Sequence, residues 1–207
     1  MIIGSEVNSD VVKSYPQYVK EPNITPLILS KVAMQQLTAT DSRGDSLQMA
    51  ATKAVNAMKN EYGQGASTLV MIFNASGETL RYQANRNWSG ETEKYPFDTT
   101  IANGEYSVFL HVKAGIFTGS VGSVVFRGDS GSDFLFAWDN PYIGSNSSYV
   151  DVQSKDYWPS VQSWSEVESR LTSSGISSNA DNGTFAVSSM IGSATSPIAQ
   201  FKVIRKA

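Results

Sequence analysis

The 207-residue sequence predicts one mainly β domain, an antiparallel β-sandwich or barrel behind a helical N-terminal segment. Three observations support this fold class. Short β-rich runs after residue 66 are separated by Gly, Asn, Asp and Ser clusters. The first third has apolar residues at helical spacing. Hydrophobic residues at 41% and charged residues at 17% are typical of a globular core and not of a disordered or coiled-coil chain.

Two segments carry the helical part of the prediction. Residues 27–37 are apolar without strict alternation and follow Pro26, and Asp45 can cap a helix over residues 46–60. In the second segment the apolar residues line one helical face at 3.6 residues per turn, namely Leu47, Ala50, Ala51, Ala54, Val55 and Met58. We therefore expect residues 1–45 to form a helical extension that packs on a sandwich domain of residues 46–207.

Eight strands and one further helix are expected after residue 66. The strands fall near residues 67–73, 79–83, 106–113, 121–127, 134–138, 149–153, 184–190 and 198–204. In the strand at 106–113 the alternation places one face in the core and His111 on the other face, at the surface or half-buried. A helix between residues 159 and 172 interrupts the strands, and the polar residues 172–182 (TSSGISSNADN) are expected to form a mobile loop.

Composition removes several classes of function. The formal net charge is −3 and the pI about 5.2, with Lys and Arg scattered, so nucleic acid is not an expected partner. No run of 18 apolar residues occurs, and the N-terminus has neither a basic flank nor a long apolar stretch. These features predict a soluble, cytoplasmic protein without a membrane span or secretory signal.

Metal, cofactor and nucleophile chemistry has little support in the sequence. The chain has no cysteine, which removes disulfides, thiolates and cysteine metal ligands. His111 is the only histidine, so a multi-histidine metal site is impossible. No phosphate-loop, nucleophile-elbow or dinucleotide-binding pattern accompanies it. We predict no metal, no cofactor and no catalytic set, and a binding module is favoured over an enzyme.

Several motifs in fixed order resemble a known family. They are the segments at residues 73–80 (FNASGETL), 87–90 (NWSG), 95–96 (YP), 101–104 (IANG), 115–127 (GIFTGSVGSVVFR) and 135–142 (LFAWDNPY). Together they are similar to the plant 23 kDa jasmonate-induced proteins over nearly the whole chain. The resemblance implies a plant stress-inducible protein whose biochemical activity is poorly defined in the family itself.

From residue 46 onward, a second and more distant likeness concerns the fold. An amphipathic helix, an Asn-Gly turn, a Thr-Gly-x-Val-Gly segment and an aromatic strand entering Pro-Tyr are similar to actinoporins, the pore-forming toxins of sea anemones. Fungal fruit-body lectins share that fold. The resemblance implies an actinoporin-like β-sandwich flanked by helices. The helix at 46–60 corresponds to the segment that actinoporins insert, but its alanine-rich face and mid-chain position favour a packed structural helix here.

The actinoporin resemblance also implies positions for a phosphocholine site. Ser89, Val121 and Pro141 match that site, with Tyr142 adjacent to it, whereas Asp139 replaces a small hydroxyl residue. Two further positions that hold tyrosines in actinoporins are occupied by Glu168 and Ser169. Because choline recognition depends on aromatic faces around the cation, these replacements argue against sphingomyelin as the ligand.

The segment at residues 138–142 (WDNPY) is the densest cluster of candidate binding residues. A strand ends there at a Pro-fixed turn, and Trp or Tyr stacking with hydrogen bonds from an acid and an amide suits a sugar or small amphiphile. An alternative stays open, in which Trp138 is core and the rest is turn chemistry. Trp88 is expected in a polar loop, either contacting a ligand or covering the sandwich end. The predicted ligand-binding set is Trp88, Ser89, Val121, Trp138, Asp139, Asn140, Pro141 and Tyr142.

Three hypotheses of function follow from these residues. The first is a stress or defence protein that binds a glycan or other small polar-aromatic ligand through loops at the sandwich end. The second is binding or permeabilisation of membrane lipid, with weak membrane contact. The third is an enzyme of unlisted mechanism in which Asp139, Tyr142 or His111 acts as acid or base. The oligomeric state stays open.

Overall fold

The computed structural model describes residues 1–42, 44–94, 96–160 and 164–206, with residues 159 and 160 described by their backbone. Within these residues the fold consists of two β-sheets and five helices. The described helices are α1 Ser9–Lys13, α2 Pro26–Thr38, α3 Leu47–Tyr62, α4 Tyr157–Ser160 and α5 Trp164–Ser174. The described strands are β1 Ile2–Ile3, β2 Ser67–Ala75, β3 Leu80–Ser89, β4 Glu91–Thr92, β5 Thr100–Ile101, β6 Tyr106–Val112, β7 Ser120–Arg127, β8 Asp133–Asn140, β9 Ser147–Gln153, β10 Ser177–Asp181, β11 Phe185–Ile191 and β12 Ile198–Arg205.

The two sheets lie face to face as a sandwich. The first sheet has the order β1-β6-β2-β12-β11-β10, and β4 also pairs with β6. The second has the order β5-β3-β7-β8-β9. Every described strand pair is antiparallel except β2 with β12, which run parallel from Leu69 opposite Ile198 to Ala75 opposite Ile204. The predicted mainly β sandwich with flanking helices is confirmed, with this one parallel pair joining the two ends of the domain.

Three apolar clusters hold the layers together. The cluster between the sheets includes Phe109, Phe126, Phe136, Trp138 and Phe201. A second cluster lies between the outer face of the first sheet and helices α1, α2 and α3. A third lies between the outer face of the second sheet and helices α4 and α5. Because both faces of both sheets carry apolar partners, the central strands are buried on both sides.

Strand β6 illustrates this double burial. All seven of its residues are buried, with Val108 and Leu110 facing the helices and Phe109 facing the second sheet. The expectation of a surface or half-buried His111 is therefore wrong, since that side chain has no exposed surface. The sequence identified the alternation correctly, but the opposite face of the strand is covered by the second sheet instead of by water.

The predicted N-terminal helices are present, with different capping. The N-cap of α3 is Ser46, whose Oγ accepts from Met49 N at 3.2 Å, while Asp45 pairs with Lys53 at 2.6 Å. The alanine-rich face of α3 is packed, since Ala51 and Val55 are fully buried. Among the described helices, none has both the length and the apolar character required to cross a bilayer.

The predicted mobile loop at residues 172–182 is wrong. Helix α5 continues to Ser174, and β10 pairs with β11 at the edge of the first sheet. Its residues Ser-Ser-Asn-Ala-Asp alternate between exposed and partly buried, so an edge strand formed here without the apolar alternation that predicts strands. The helix expected at 159–172 overlaps α4 and α5, and its Val161 lies outside the described residues.

Candidate functional site

One end of the sandwich gathers four loops, at residues 63–66, 113–119, 141–146 and 192–197. The side-chain amide of Asn140 donates to Ser67 O at 3.2 Å and to Thr195 O at 3.0 Å. The amide of Asn146 donates to Gly192 O at 2.7 Å and Ala194 O at 3.1 Å. Both side-chain amides are buried, and each donates to two backbone carbonyls. Asn140, predicted to bind a ligand, therefore uses its amide to hold these loops together.

The loops at 113–119 and 141–146 also meet directly through their backbones. A Cβ placed on Gly119 would lie 2.4 Å from Asn140 O and 2.7 Å from Pro141 Cα, so no other residue fits there without a shift. This close approach brings the two loops side by side. The side chains that they carry consequently form one surface.

Large apolar side chains project from this surface into solvent. Ile116 is 78% exposed, Phe117 73%, Tyr142 52% and Ile143 85%. The rings of Phe117 and Tyr142 contact each other edge to face, with centroids 5.5 Å apart. We call these four residues the tip. Of these four residues, only Tyr142 was among the predicted site residues, although the Gly-flanked apolar run between two strands, GIFTG at 115–119, was a usable signal for Ile116 and Phe117.

Beside the tip lies a cavity of about 290 Å³. It is lined by Ala66, Lys113, Ile116, Thr118, Asn140, Pro141, Tyr142, Gly144, Asn146, Ser193, Ala194 and Thr195. Ile116 and Tyr142 thus belong both to the tip and to the wall of the cavity. Pro141, a predicted site residue, also lies in this wall.

The last row of the second sheet reaches the same end of the molecule. Ser89, Val121, Asp139 and Ser147 lie directly opposite one another on β3, β7, β8 and β9. Directly opposed residues point to the same face, which here is the outer face below α4 and α5. Ser89 Oγ donates to Gly119 O at 3.1 Å, which ties this row to the loop at 113–119.

Asp139 is the chemically unusual member of this row. Its Oδ1 is buried and has no hydrogen-bond partner among the residues that the structure describes. Burial, and secondarily the nearby carboxylate of Glu168 on α5, raises the pKa of Asp139 to about 6. A carboxyl group with this environment changes charge near neutral pH.

Trp138 faces the opposite way and needs correction as a site residue. It has no exposed surface, and its ring packs edge to face on Phe109 at 5.6 Å and His111 at 5.1 Å. Gly122 on the neighbouring strand leaves room for it, since a Cβ there would lie 2.8 Å from the indole. Because side chains alternate along β8, Trp138 and Asn140 point between the sheets and Asp139 points outward.

His111 is enclosed in the same inner region. Its Nδ1 lies 2.8 Å from Ser120 Oγ and its Nε2 3.2 Å from Asn87 Oδ1. Burial lowers the pKa of His111 to about 3. An uncharged, fully enclosed imidazole is a core group and is not positioned as a surface acid or base.

Trp88 lies in strand β3 and not in the expected polar loop. It is the extra residue at a bulge, since Asn87 pairs with Gly122 and Ser89 with the next residue, Val121. Its ring packs edge to face on Trp164 of α5 with centroids 6.4 Å apart. Trp88 is thus partly buried beneath the second pair of helices, as in the covering role that the sequence left open.

The structure therefore divides the eight predicted residues into groups. Ser89, Val121 and Asp139 form one row, while Pro141 and Tyr142 lie in the adjoining loop at the same end. The remaining three are used in packing, namely Trp88, Trp138 and Asn140. Among the described residues, no group of three or more His, Asp or Glu side chains could hold a metal ion.

Comparison with known proteins identifies relatives of the chain. The 23 kDa jasmonate-induced protein of Hordeum vulgare is 31% identical over 201 residues, covering 94% of this chain and 92% of that protein. A jasmonate-induced protein homolog of Atriplex canescens is 25% identical over 145 residues, covering 66% and 77%. These matches confirm the resemblance to jasmonate-induced proteins.

A solved structure matches nearly the full length of the chain. The crystal structure of the lipid binding protein Nakanori matches with a TM-score of 0.90 and 24% identity, covering 99% of this chain and all of that one. The model of the family described as Nakanori-like protein matches residues 3–207. On the strength of that match, the chain belongs to the Nakanori-like family.

Proposed function

We propose that the protein is a peripheral lipid-binding protein that docks on membranes through the tip. The observation that carries this proposal is the cluster of Ile116, Phe117, Tyr142 and Ile143, four large apolar side chains that are at least half exposed on two adjoining loops. Single exposed apolar residues are ordinary, but a contiguous cluster at one end marks an interaction surface.

Charge supports a lipid surface as the occupant. The four loops at this end, at residues 63–66, 113–119, 141–146 and 192–197, contain no Asp or Glu, and Lys113 is their one charged residue. The chain as a whole carries 19 acidic residues and a net charge of −3, so this end departs from the average. The four loops themselves therefore present no carboxylate to phospholipid headgroups.

The expected affinity is modest. Complete burial of an aliphatic or aromatic side chain is worth about 1.5–3 kcal/mol, and insertion into the headgroup boundary realises part of that value. Four such residues give roughly 4–8 kcal/mol, which corresponds to millimolar to micromolar, reversible binding. Helix α3 is packed against the first sheet and held in mid-chain, so we expect docking without permeabilisation.

The solved structure that shares this fold is described as a lipid binding protein, which is consistent with the proposal. Glycan binding, the first hypothesis from the sequence, retains Asp139 and Tyr142 but loses Trp138 as a stacking platform. We place lipid binding first because the exposed cluster also contains two aliphatic side chains, Ile116 and Ile143, for which sugar stacking would have no use. The stress or defence role and the cytoplasmic location expected from the sequence are also part of this proposal, and the relatives are described as jasmonate-induced.

Vesicle flotation tests the proposal. We expect the wild-type chain to float with phosphatidylcholine vesicles and the double variant Phe117→Ser, Ile143→Ser to lose at least about ten-fold in partitioning, given the apolar area removed. The matched control replaces Val19 and Met49 with Ser, which are 59% and 47% exposed and lie neither in nor next to the four loops in the sequence.

Three further readouts separate the alternatives. Unchanged flotation of the tip variant, or equal loss in the control, would contradict lipid docking through the tip. Binding on a glycan array without flotation would favour the glycan hypothesis. Dye release from the same vesicles would show permeabilisation, which the packed α3 argues against.

A further inference from the structure

We infer that the cavity beside the tip binds the phosphate of a lipid headgroup, with Lys113 as the positively charged contact. This inference rests on the proposed lipid docking and specifies which part of the lipid is recognised. It goes beyond apolar insertion, because it predicts a preference for anionic lipid that the tip alone would not produce.

The first step is the chemistry of the cavity wall. Its volume of about 290 Å³ suits a single headgroup moiety more than a whole lipid, and Lys113 is the one charged residue in its lining. A phosphate is larger and more highly charged than a carboxylate and is commonly bound by a lysine acting as a point charge. No lining residue is acidic, so nothing there repels an anion.

The second step is the availability of donors. Lys113 Nζ, Ser193 Oγ and Thr195 Oγ1 make no hydrogen bond or ion pair with the residues that the structure describes. Two carbonyls of the lining are already used, because Ala66 O accepts from Lys113 N at 3.2 Å and Thr195 O from Asn140 Nδ2 at 3.0 Å. The cavity therefore offers an ammonium group and two hydroxyl groups that can donate to an anion.

The third step concerns how Lys113 is placed. A Cβ on Gly65 would lie 3.0 Å from Lys113 Cε, so the lysine stem rests against this glycine, whose φ is +127°. The other lysine at this end, Lys59, is engaged, since its Nζ donates to Gly65 O at 2.7 Å. Lys113, in contrast, lines the cavity, and its ammonium group has no partner among the described residues.

The last step identifies the source of the phosphate. Ile116 and Tyr142 line the cavity and also project from the tip, so an anion in the cavity would lie next to the surface that enters the bilayer. A lipid satisfies both features with one molecule, whereas a soluble phosphate would leave the exposed apolar cluster without a role. In the cytoplasm, the proposed compartment, the facing leaflet is the anionic one.

Flotation with two vesicle compositions tests this inference on the full chain. We expect wild type to partition about five-fold more onto phosphatidylcholine vesicles doped with phosphatidic acid than onto phosphatidylcholine alone. This ratio corresponds to the binding free energy that one lysine near an anionic surface contributes, about 1 kcal/mol. Lys113→Gln should abolish that preference. Lys31→Gln is the matched control, because it lies on α2, whose Ser30 contacts Ala75 O at the opposite end of β2.

The outcomes are separable. A preference that Lys113→Gln does not change, or that Lys31→Gln changes equally, overturns the inference, and so does equal flotation of wild type on both vesicles. A Lys113-dependent thermal shift with inorganic phosphate, without any vesicle preference, overturns the lipid source and identifies a free-anion site. Failure of wild type to float on either vesicle overturns lipid docking itself, whereas Phe117→Ser, Ile143→Ser losing both vesicles supports it.

Discussion

Acidification is expected to lower the stability contributed by His111. The imidazole is fully buried between the sheets and contacts Ser120, Asn87 and Trp138, with no charged group among its contacts. Burial lowers its pKa in the folded protein to about 3, against 6.5 for a free histidine. Between these two pH values the unfolded chain binds a proton at this position and the folded chain does not.

The sign and size of the effect follow from proton linkage. Because the unfolded state holds one more proton, the free energy of unfolding falls as the pH falls, by about 1.4 kcal/mol per pH unit. Over the window from pH 6.5 to pH 3 the loss sums to on the order of 5 kcal/mol, comparable with the whole stability of an ordinary domain.

Asp139 acts in the opposite direction and must be separated from His111. Its pKa is raised to about 6, so between pH 6 and about 3.8 the folded state binds the extra proton and gains stability as the pH falls. Partial solvent exposure screens this contribution. The measured slope of the wild type is therefore a sum, and a variant of each residue is needed to resolve it.

The assay is urea unfolding of wild type and His111→Gln from pH 7 to pH 4. Glutamine keeps a donor and an acceptor for Ser120 and Asn87 but does not titrate. We expect the slope to differ by about one proton, or about 1.4 kcal/mol per pH unit, even where the variant is less stable overall. As His111 is the only histidine, an NMR titration of its ring gives an independent pKa. A folded-state midpoint near 6.5, or equal slopes for both proteins, would refute the reasoning.

Two further predictions concern stability. Glu78→Gln should cost about 3–5 kcal/mol in urea unfolding, because it removes the buried partner of Arg205 and the charge that accepts from Ser130 N at 3.0 Å; a loss below 1 kcal/mol would contradict this. Gly77→Ala should lower the melting temperature more than Gly183→Ala does. Both glycines have a positive φ, which costs an alanine about 1–2 kcal/mol. Only at Gly77 would the new Cβ also clash with a backbone atom, because it would lie 2.0 Å from Pro26 O. Equal shifts would show that the backbone yields.

Much of the fold was predictable because its signals are local. The apolar spacing from Leu47 to Met58 predicted α3, which extends two residues beyond the predicted end. The alternating or apolar runs predicted β2, β6, β7, β8, β9, β11 and β12 with bounds shifted by one or two residues. The strands that were missed lack such a signal, since β1, β4 and β5 have two residues each and β10 is a polar edge strand.

Local sequence patterns could not predict which layer covers each face of a strand. Phe109 and Val108 are both apolar neighbours on β6, and which of the two faces meets helices and which meets a sheet depends on residues tens of positions away. Ile116 and Phe117 show the opposite case, because they are residue types typical of a core and yet are the most exposed large side chains of their loop. Exposure is a property of the assembled fold, so the tip had no distinct signature apart from its flanking glycines.

The structure separates the residues of the 138–142 segment for a geometric reason. Strand β8 was expected to end at residue 138, which made 138–142 a loop whose side chains could converge on one ligand. The strand continues to Asn140, and side chains in a strand alternate between its faces, so Trp138 and Asn140 had to point inward once Asp139 pointed outward. The strand thus ends two residues later than expected, and Asp139 and Asn140 belong to it and not to a loop. Cross-strand pairing, and not loop proximity, places Ser89, Val121 and Asp139 in one row.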